Sequence, residues 1–277
     1  NAYSMTEKIV EYFKKNPQEY NCKVLDPACG SGIFLVETLR KLIKQFEKVK
    51  NRKIKPCEIV RLVEDNIFAI DKDRNAILIS VFSIYLTMLD YQDPKDIEQF
   101  VFPYLIQRHK NSSPNFFEND FFDTEATFNT IIKNNKINFI IGNPPYKRGA
   151  GKSKELLHFL KIRSQSENKK IEIGNKEIAQ AFMIRSSDMN EEANISFIVN
   201  SKNFYNLQSK QFRKYFLSNY SVGHILELSS VRNEVFPTAT TPVLVIFYKF
   251  GQKKSESIKY ISIKPNPMFS KFKMLCI

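Results

Sequence analysis

The apolar positions of this chain fall into short blocks separated by longer stretches with helical spacing. Residues 3–13 carry Ile9, Val10, Tyr12 and Phe13 on a helical repeat, with Ser4 or Thr6 as N-cap and Asn16-Pro17 as the stop. Residues 22–26 form an apolar run of strand length. Residues 33–46 then place Phe34, Leu35, Leu39, Leu42 and Ile43 on one side of an amphipathic helix. The alternation continues with a strand over 66–70, a mostly apolar helix over 75–89, a helix over 93–107 and strands over 115–117 and 138–142. Beyond a lysine-rich stretch come a helix over 177–188, a strand over 195–199 and a helix over 209–217. Strands over 221–228 and 243–248 follow, with one more over 258–263. Strands and helices that alternate throughout predict an α/β fold built on a doubly wound, mostly parallel sheet.

Two junctions in this pattern carry chemistry. The strand at 22–26 runs straight into Asp26-Pro27-Ala28-Cys29-Gly30-Ser31-Gly32 and then a helix. Strand, glycine-rich turn and helix let a backbone approach a nucleotide-type ligand closely. Leu35 stands where a dinucleotide fold has its third glycine, and Gly-Lys-Ser/Thr is missing at the spacing a P-loop needs. The turn therefore suits a ligand without a pyrophosphate. Asp71 ends the second strand, placed either to bond ribose hydroxyls or to cap the next helix, with Asp73 as the other cap candidate. Asn119-Asp120-Phe121-Phe122 ends the third strand. Asp120 and Phe121 suit the amino group and ring of an adenine, or form a turn with core phenylalanines.

The second junction is the strand at 138–142, which stops on Asn143-Pro144-Pro145-Tyr146. Neither proline can donate a ladder hydrogen bond, so the chain leaves the sheet there in a stiff loop. The side-chain oxygen of Asn143 and the carbonyl of Pro144 can accept both hydrogens of an exocyclic amine. Tyr146 can stack on the ring that bears it. Read alone, the same four residues are a proline-rich turn with a surface tyrosine.

Charge narrows the partner. The chain has 277 residues, 43% of them hydrophobic, and a net charge of +13, which points to a polyanion. Cys22, Cys29, Cys57 and Cys276 show no Cys-x-x-Cys spacing, so no zinc site is expected. The longest apolar run, 76–89, contains Ser80, Ser83 and Thr87 and is too short to span a bilayer. A reduced, cytoplasmic protein with no membrane partner is the expectation. The stretch 147–176 is rich in lysine and arginine and reads as a basic mobile loop around a short helix at 155–162, able to track phosphates.

Taken together, these motifs resemble the amino-group DNA methyltransferases. The similarity is to the N6-adenine enzymes of restriction-modification systems in which the cofactor motif precedes the catalytic one. Residues 26–32 resemble the family's first motif, 68–76 its second, 119–121 its third and 143–146 its fourth. Residues 195–204 and 235–249 resemble later sheet motifs. The resemblance implies a Rossmann-like class I S-adenosylmethionine-dependent methyltransferase. Its sheet would have seven strands, mostly parallel with one reversed, and helices on both faces. The cofactor S-adenosylmethionine would lie over Asp26, Ala28, Gly30 and Gly32, with Asp71 on its ribose and Asp120 and Phe121 at its adenine. An aromatic-Thr-Pro segment that touches the methionine part in relatives corresponds here to Tyr3-Ser4-Met5-Thr6, which adds Tyr3 and Thr6. Asn143, Pro144, Pro145 and Tyr146 would hold an adenine flipped out of double-stranded DNA.

By the same resemblance, residues 1–263 form the catalytic domain, with an N-terminal helical segment at 1–20. Residues 264–277 are a basic tail leading to target recognition by a domain or subunit outside this chain. A nuclease would also lie outside it. Related chemistries share Asn-Pro-Pro-Tyr: RNA guanine-N2 methyltransferases, the glutamine methyltransferases of release factors, and N4-cytosine enzymes, which more often have Ser in place of Asn143. A non-catalytic nucleic-acid-binding subunit with the same fold is the alternative of another class.

Overall fold

The computed structural model describes residues 2–106, 114–146, 153–168, 170–174, 177–235, 241–251 and 257–265. The chain divides into two compact units, Asn1–Gly142 and Asn143–Ile277.

The first unit runs α1 (Ala2–Lys15), β1 (Val24–Asp26), α2 (Ile33–Lys50), α3 (Pro56–Asn66), β2 (Ile67–Asp71) and α4 (Arg74–Leu89). It continues with α5 (Pro94–Ile97), β3 (Phe116–Glu118), α6 (Phe128–Asn135) and β4 (Phe139–Gly142). Its strands lie in the order β3-β2-β1-β4, all parallel. Such strands are covered on both faces, which is why they read as unbroken apolar runs. Val24, Leu25, Ile67, Phe68, Ala69, Ile70, Ile140 and Ile141 are all buried.

Three asparagines set where these strands begin. Asn66 accepts the Cys22 N–H at 2.7 Å, just ahead of β2. Asn138 accepts the Lys23 N–H at 2.8 Å, just ahead of β4. Asn115 donates to the carbonyls of Glu64 at 2.7 Å and Ile67 at 2.9 Å, just ahead of β3. Each takes up backbone groups where the ladder has not yet begun, groups that would otherwise be buried without a partner.

Met5, Ile9 and Phe13 of α1 are buried, as are Phe34, Leu35, Leu39, Leu42, Ile43 and Phe46 of α2. Each such side chain contributes about 1.5–3 kcal/mol on burial. Asp73 accepts the Asn75 N–H at 2.9 Å and so caps α4. The inner positions of α4, Ile77, Val81, Ile84 and Met88, are buried, while Leu78, Ile79, Phe82 and Leu86 are exposed.

The helix expected over 93–107 is corrected: among the described residues of that stretch, only Pro94–Ile97 is helical. Pro103 lacks an N–H and clashes with the carbonyl four residues before it, which bars a helix through that position, although the helix already stops at Ile97. Conversely, α3 and α6 were not foreseen. Their apolar stripes are short and lie among charged residues, and α3 is set by Pro56 in its first turn with Glu58 accepting the Lys55 N–H at 2.9 Å.

The second unit runs α7 (Lys154–Ser166), α8 (Ile178–Arg185), β5 (Asn194–Asn200), α9 (Lys202–Tyr205) and α10 (Lys210–Asn219). Then come β6 (Tyr220–Glu227), α11 (Arg232–Val235), β7 (Val243–Phe250) and β8 (Lys259–Ser262). Its strands lie in the order β5-β7-β6-β8. β7 is antiparallel to both neighbours, and β8 is parallel to β6. β7 is thus the one reversed strand among the four of this unit. Eight strands are present among the described residues where the resemblance implied seven, the eighth being β8. Phe216 and Tyr220 stack at 4.7 Å between ring centres, and the Tyr248 hydroxyl donates to the Met183 carbonyl at 2.9 Å. Among the described residues, no helix is long and apolar enough to cross a membrane.

Candidate active site

The turn after β1 is held from two sides. The Ala28 N–H donates to Asp26 Oδ1 at 3.1 Å, and the Gly32 N–H to the Cys29 carbonyl at 2.8 Å. The end of β2 completes the grip. The Cys29 N–H donates to the Ile70 carbonyl at 3.1 Å, and the Gly30 N–H to Asp71 Oδ2 at 3.0 Å. Asp71 Oδ1 also accepts the Asp73 N–H at 3.0 Å. Asp71 therefore clamps the glycine turn, and the capping role belongs to Asp73.

Both glycines of this turn sit in the left-handed region, Gly30 at φ +52° and Gly32 at φ +79°. They differ in surroundings. A Cβ on Gly30 would meet nothing within 4 Å, so the backbone there faces open space. A Cβ on Gly32 would lie 2.4 Å from Ser80 Oγ on α4. Ser80 is thus a supporting residue that the sequence reading missed. The only signal was a small polar residue inside the apolar run 76–89.

Asp26 is fully buried, and its Oδ2 has no hydrogen-bond partner. Burial pushes its carboxyl pKa up to about 8; the nearby Asp71 adds to the rise and the Ala28 N–H opposes it. β1 and β4 pair in parallel, Val24 with Phe139 and Leu25 with Ile140, so their carboxyl ends share one edge. At that edge a Cβ on Gly142 would come within 2.6 Å of Asp26 Oδ1. Only glycine allows β4 to finish so close to the buried carboxylate, and Asn143 is the next residue in the chain.

At the end of β3, the Asn119 N–H donates to the Asp71 carbonyl at 3.0 Å. Asp120 Oδ1 accepts the Phe122 N–H at 2.9 Å, and Phe121 is buried. Thr6 is buried in α1, and the side chain of Tyr3 lies outside the described residues. Ala28 is half-buried.

In the second unit, Asn143 is exposed, Pro144 is buried, and Pro145 and Tyr146 are half-buried. The Tyr146 hydroxyl donates to Asn143 Oδ1 at 2.6 Å. Burial holds the phenol pKa well above its usual value, so it stays a donor. The amide oxygen expected to grip an amine already accepts one hydrogen bond. It has a second lone pair free for another.

The Eco57I restriction-modification methylase family matches residues 65–236. The chain belongs to this family. The matched stretch includes Asp71, Asp120, Phe121 and Asn143 to Tyr146, while the turn at 26–32 precedes it. The Type II methyltransferase M.BstVI of Geobacillus stearothermophilus is 24% identical over 248 residues, 88% of this chain and 40% of that protein. The fold is also that of the ATP-dependent Type ISP restriction-modification enzyme LlaBIII bound to DNA. That match has a TM-score of 0.66 and 18% identity, over 94% of this chain and 19% of LlaBIII. A putative class I S-adenosylmethionine-dependent methyltransferase from Listeria monocytogenes matches with a TM-score of 0.54 and 14% identity, over 96% of this chain and 67% of its own. The fold is accordingly that of the class I methyltransferases. The chain spans less than half the length of M.BstVI and about a fifth of LlaBIII.

Proposed function

We propose that this chain transfers a methyl group from S-adenosylmethionine to the N6 amine of an adenine in double-stranded DNA, as the modification activity of a restriction-modification system. The observation that carries the reading is the edge where β1 and β4 end together. There Asp26 packs against Gly142, one residue before Asn143. Family membership and the likeness to M.BstVI support methyl transfer.

The turn fits the cofactor on three counts. The backbone at Gly30 faces open space, Asp26 carries a buried oxygen without a partner, and the Asp71 carboxylate is half-exposed beside the turn. Asp26, Ala28, Gly30 and Gly32 would hold its methionine end, and Asp71 its ribose. Asp120 and Phe121 would hold its adenine, while Tyr3 and Thr6 of α1 would touch its methionine part. Bound there, S-adenosylmethionine supplies an electrophilic methyl group.

The remaining work belongs to the chain. An exocyclic N6 lone pair is delocalised into its ring and is a poor nucleophile. Asn143 Oδ1 and the Pro144 carbonyl accept its two hydrogens, which favours a more tetrahedral nitrogen and aims the lone pair. No side-chain base is needed before transfer, because that nitrogen becomes acidic only afterwards. Positioning of this kind contributes roughly 7–11 kcal/mol. Extruding the base from a duplex costs a few kcal/mol. Stacking on Tyr146 returns about 1–3 kcal/mol of that.

The test is nucleoside mass spectrometry of duplex DNA and of RNA, each incubated with the chain and S-adenosylmethionine. N6-methyladenine is expected. N4-methylcytosine, or methylation of RNA guanine alone, would overturn the assignment of the base.

A further inference from the structure

Helix α7 is longer and more firmly held than the basic loop expected around it. Its inner face buries Leu156 and Phe159. Arg163 pairs with Glu167 at 2.8 Å and donates to Asp188 Oδ1 at 2.6 Å. The Tyr215 hydroxyl of α10 donates to Glu167 at 2.6 Å, and the Arg185 guanidinium lies 5.4 Å over the Phe159 ring. Glu167 and Asp188 are thus neutralised by Arg163, and Asp188 also by Arg185 at 3.4 Å.

The opposite face is different. Lys154, His158, Lys161 and Gln165 recur at intervals of four, three and four residues, which puts them on one line along the helix. All four are exposed, and among the described residues neither lysine forms an ion pair. Glu155, the one acid near this line, sits to its side and accepts from Ser153 Oγ at 3.1 Å. The stripe is about 16 Å long at the helical rise. Lys147, Arg148, Lys152, Lys169 and Lys176 of the same stretch lie outside the described residues.

We propose that this stripe of α7 binds the sugar-phosphate backbone of duplex DNA as a preformed contact. The identity of the polyanion rests on the methyltransferase reading above. The two ammonium groups on a fixed helix can each meet a phosphate, and the helix is already ordered, so binding does not have to order it. Lysines are point charges without the forked geometry that reads base edges, so the contact positions the DNA rather than selecting a sequence.

The experiment uses the 277-residue chain and its Lys154→Gln/Lys161→Gln double variant. Affinity for a duplex is measured without cofactor across a range of salt. Each phosphate contact contributes about 0.9 to the slope of log affinity against log salt. The double variant should lose about 1.8 of that slope, which is roughly 60-fold in affinity at 0.1 M salt relative to 1 M. Melting temperature and kcat at saturating DNA should not change, and KM for DNA should rise. The Lys154→Arg/Lys161→Arg variant should restore the slope, which separates charge from helix packing.

An unchanged slope in the glutamine variant overturns the proposal even where methylation is normal. A lost slope in a chain that binds DNA but transfers no methyl group upholds the contact and refutes the enzymatic reading instead. A chain that does not bind duplex DNA at all overturns both.

Discussion

Replacing Gly142 with alanine places a methyl carbon 2.6 Å from Asp26 Oδ1 and 3.4 Å from Asp26 Cγ. Carbon and oxygen in contact settle at about 3.3–3.6 Å. One side must therefore move by roughly 0.7–1 Å. Asp26 has nowhere to go: it is fully buried, and its Oδ1 is held by the Ala28 N–H at 3.1 Å. The strain falls on the end of β4 and on the turn after β1. Overpacking of this size costs about 1–3 kcal/mol. In a protein of this length that lowers the melting temperature by roughly 2–5 °C. A displacement near 1 Å at a reacting group can cost about 100-fold in rate. Calorimetric melting and single-turnover methyl transfer read the two effects separately. Gly30→Ala is the contrast. It meets no atom within 4 Å, so it should cost only the backbone strain of about 1–2 kcal/mol and should weaken cofactor binding. A Gly142→Ala variant with unchanged melting and unchanged turnover would refute the close edge on which the site depends.

Three other changes have expected outcomes. For Asp26→Asn, the unfolded carboxyl ionises near 4 while the folded one keeps its proton until about 8. The folded state therefore binds the extra proton in that window, and wild-type stability falls as pH rises through it, by at most about 1.4 kcal/mol per pH unit. The asparagine variant should lack this decline, so its urea midpoint should exceed wild type more at pH 8 than at pH 5; equal pH profiles would reject the raised pKa. Asp71→Ala strips the acceptor from the Gly30 and Asp73 N–H groups, costing about 1–3 kcal/mol, and should weaken cofactor affinity by calorimetry. Unchanged affinity would leave Asp71 a structural clamp alone. Tyr146→Phe removes the 2.6 Å bond to Asn143 but keeps the ring. KM for DNA should change little, whereas Tyr146→Ala should weaken DNA binding by about 1–3 kcal/mol. Equal effects of the two would rule out stacking.

The parts of the fold legible in the sequence were those with one strong local cause. Apolar blocks gave the parallel strands, Asn16-Pro17 the end of α1, and the Phe34 to Ile43 stripe the inner face of α2. The helix expected over 93–107 stops at Ile97, and Pro103 bars it from running through. The asparagines at 66, 115 and 138 were silent, because their role depends on which strands become neighbours. Within the site, the choice between ribose ligand and cap at Asp71 could not be made from spacing; the cap is Asp73, which accepts the Asn75 N–H, while Asp71 holds the Gly30 N–H 41 residues away. The bond between Tyr146 and Asn143 depends on the shape of the turn, which residue identities alone do not specify. The pinning of α7 depends on Asp188 and Tyr215, 25 residues from Arg163 and 48 from Glu167.

The most direct measurement is single-turnover methyl transfer to duplex DNA by Asn143→Ala, with S-adenosylmethionine affinity measured on the same preparation. The account predicts wild-type cofactor binding together with transfer slowed by about 100-fold or more, because the amide that aims the amine is gone. A variant that binds the cofactor and methylates DNA at the wild-type rate would contradict it.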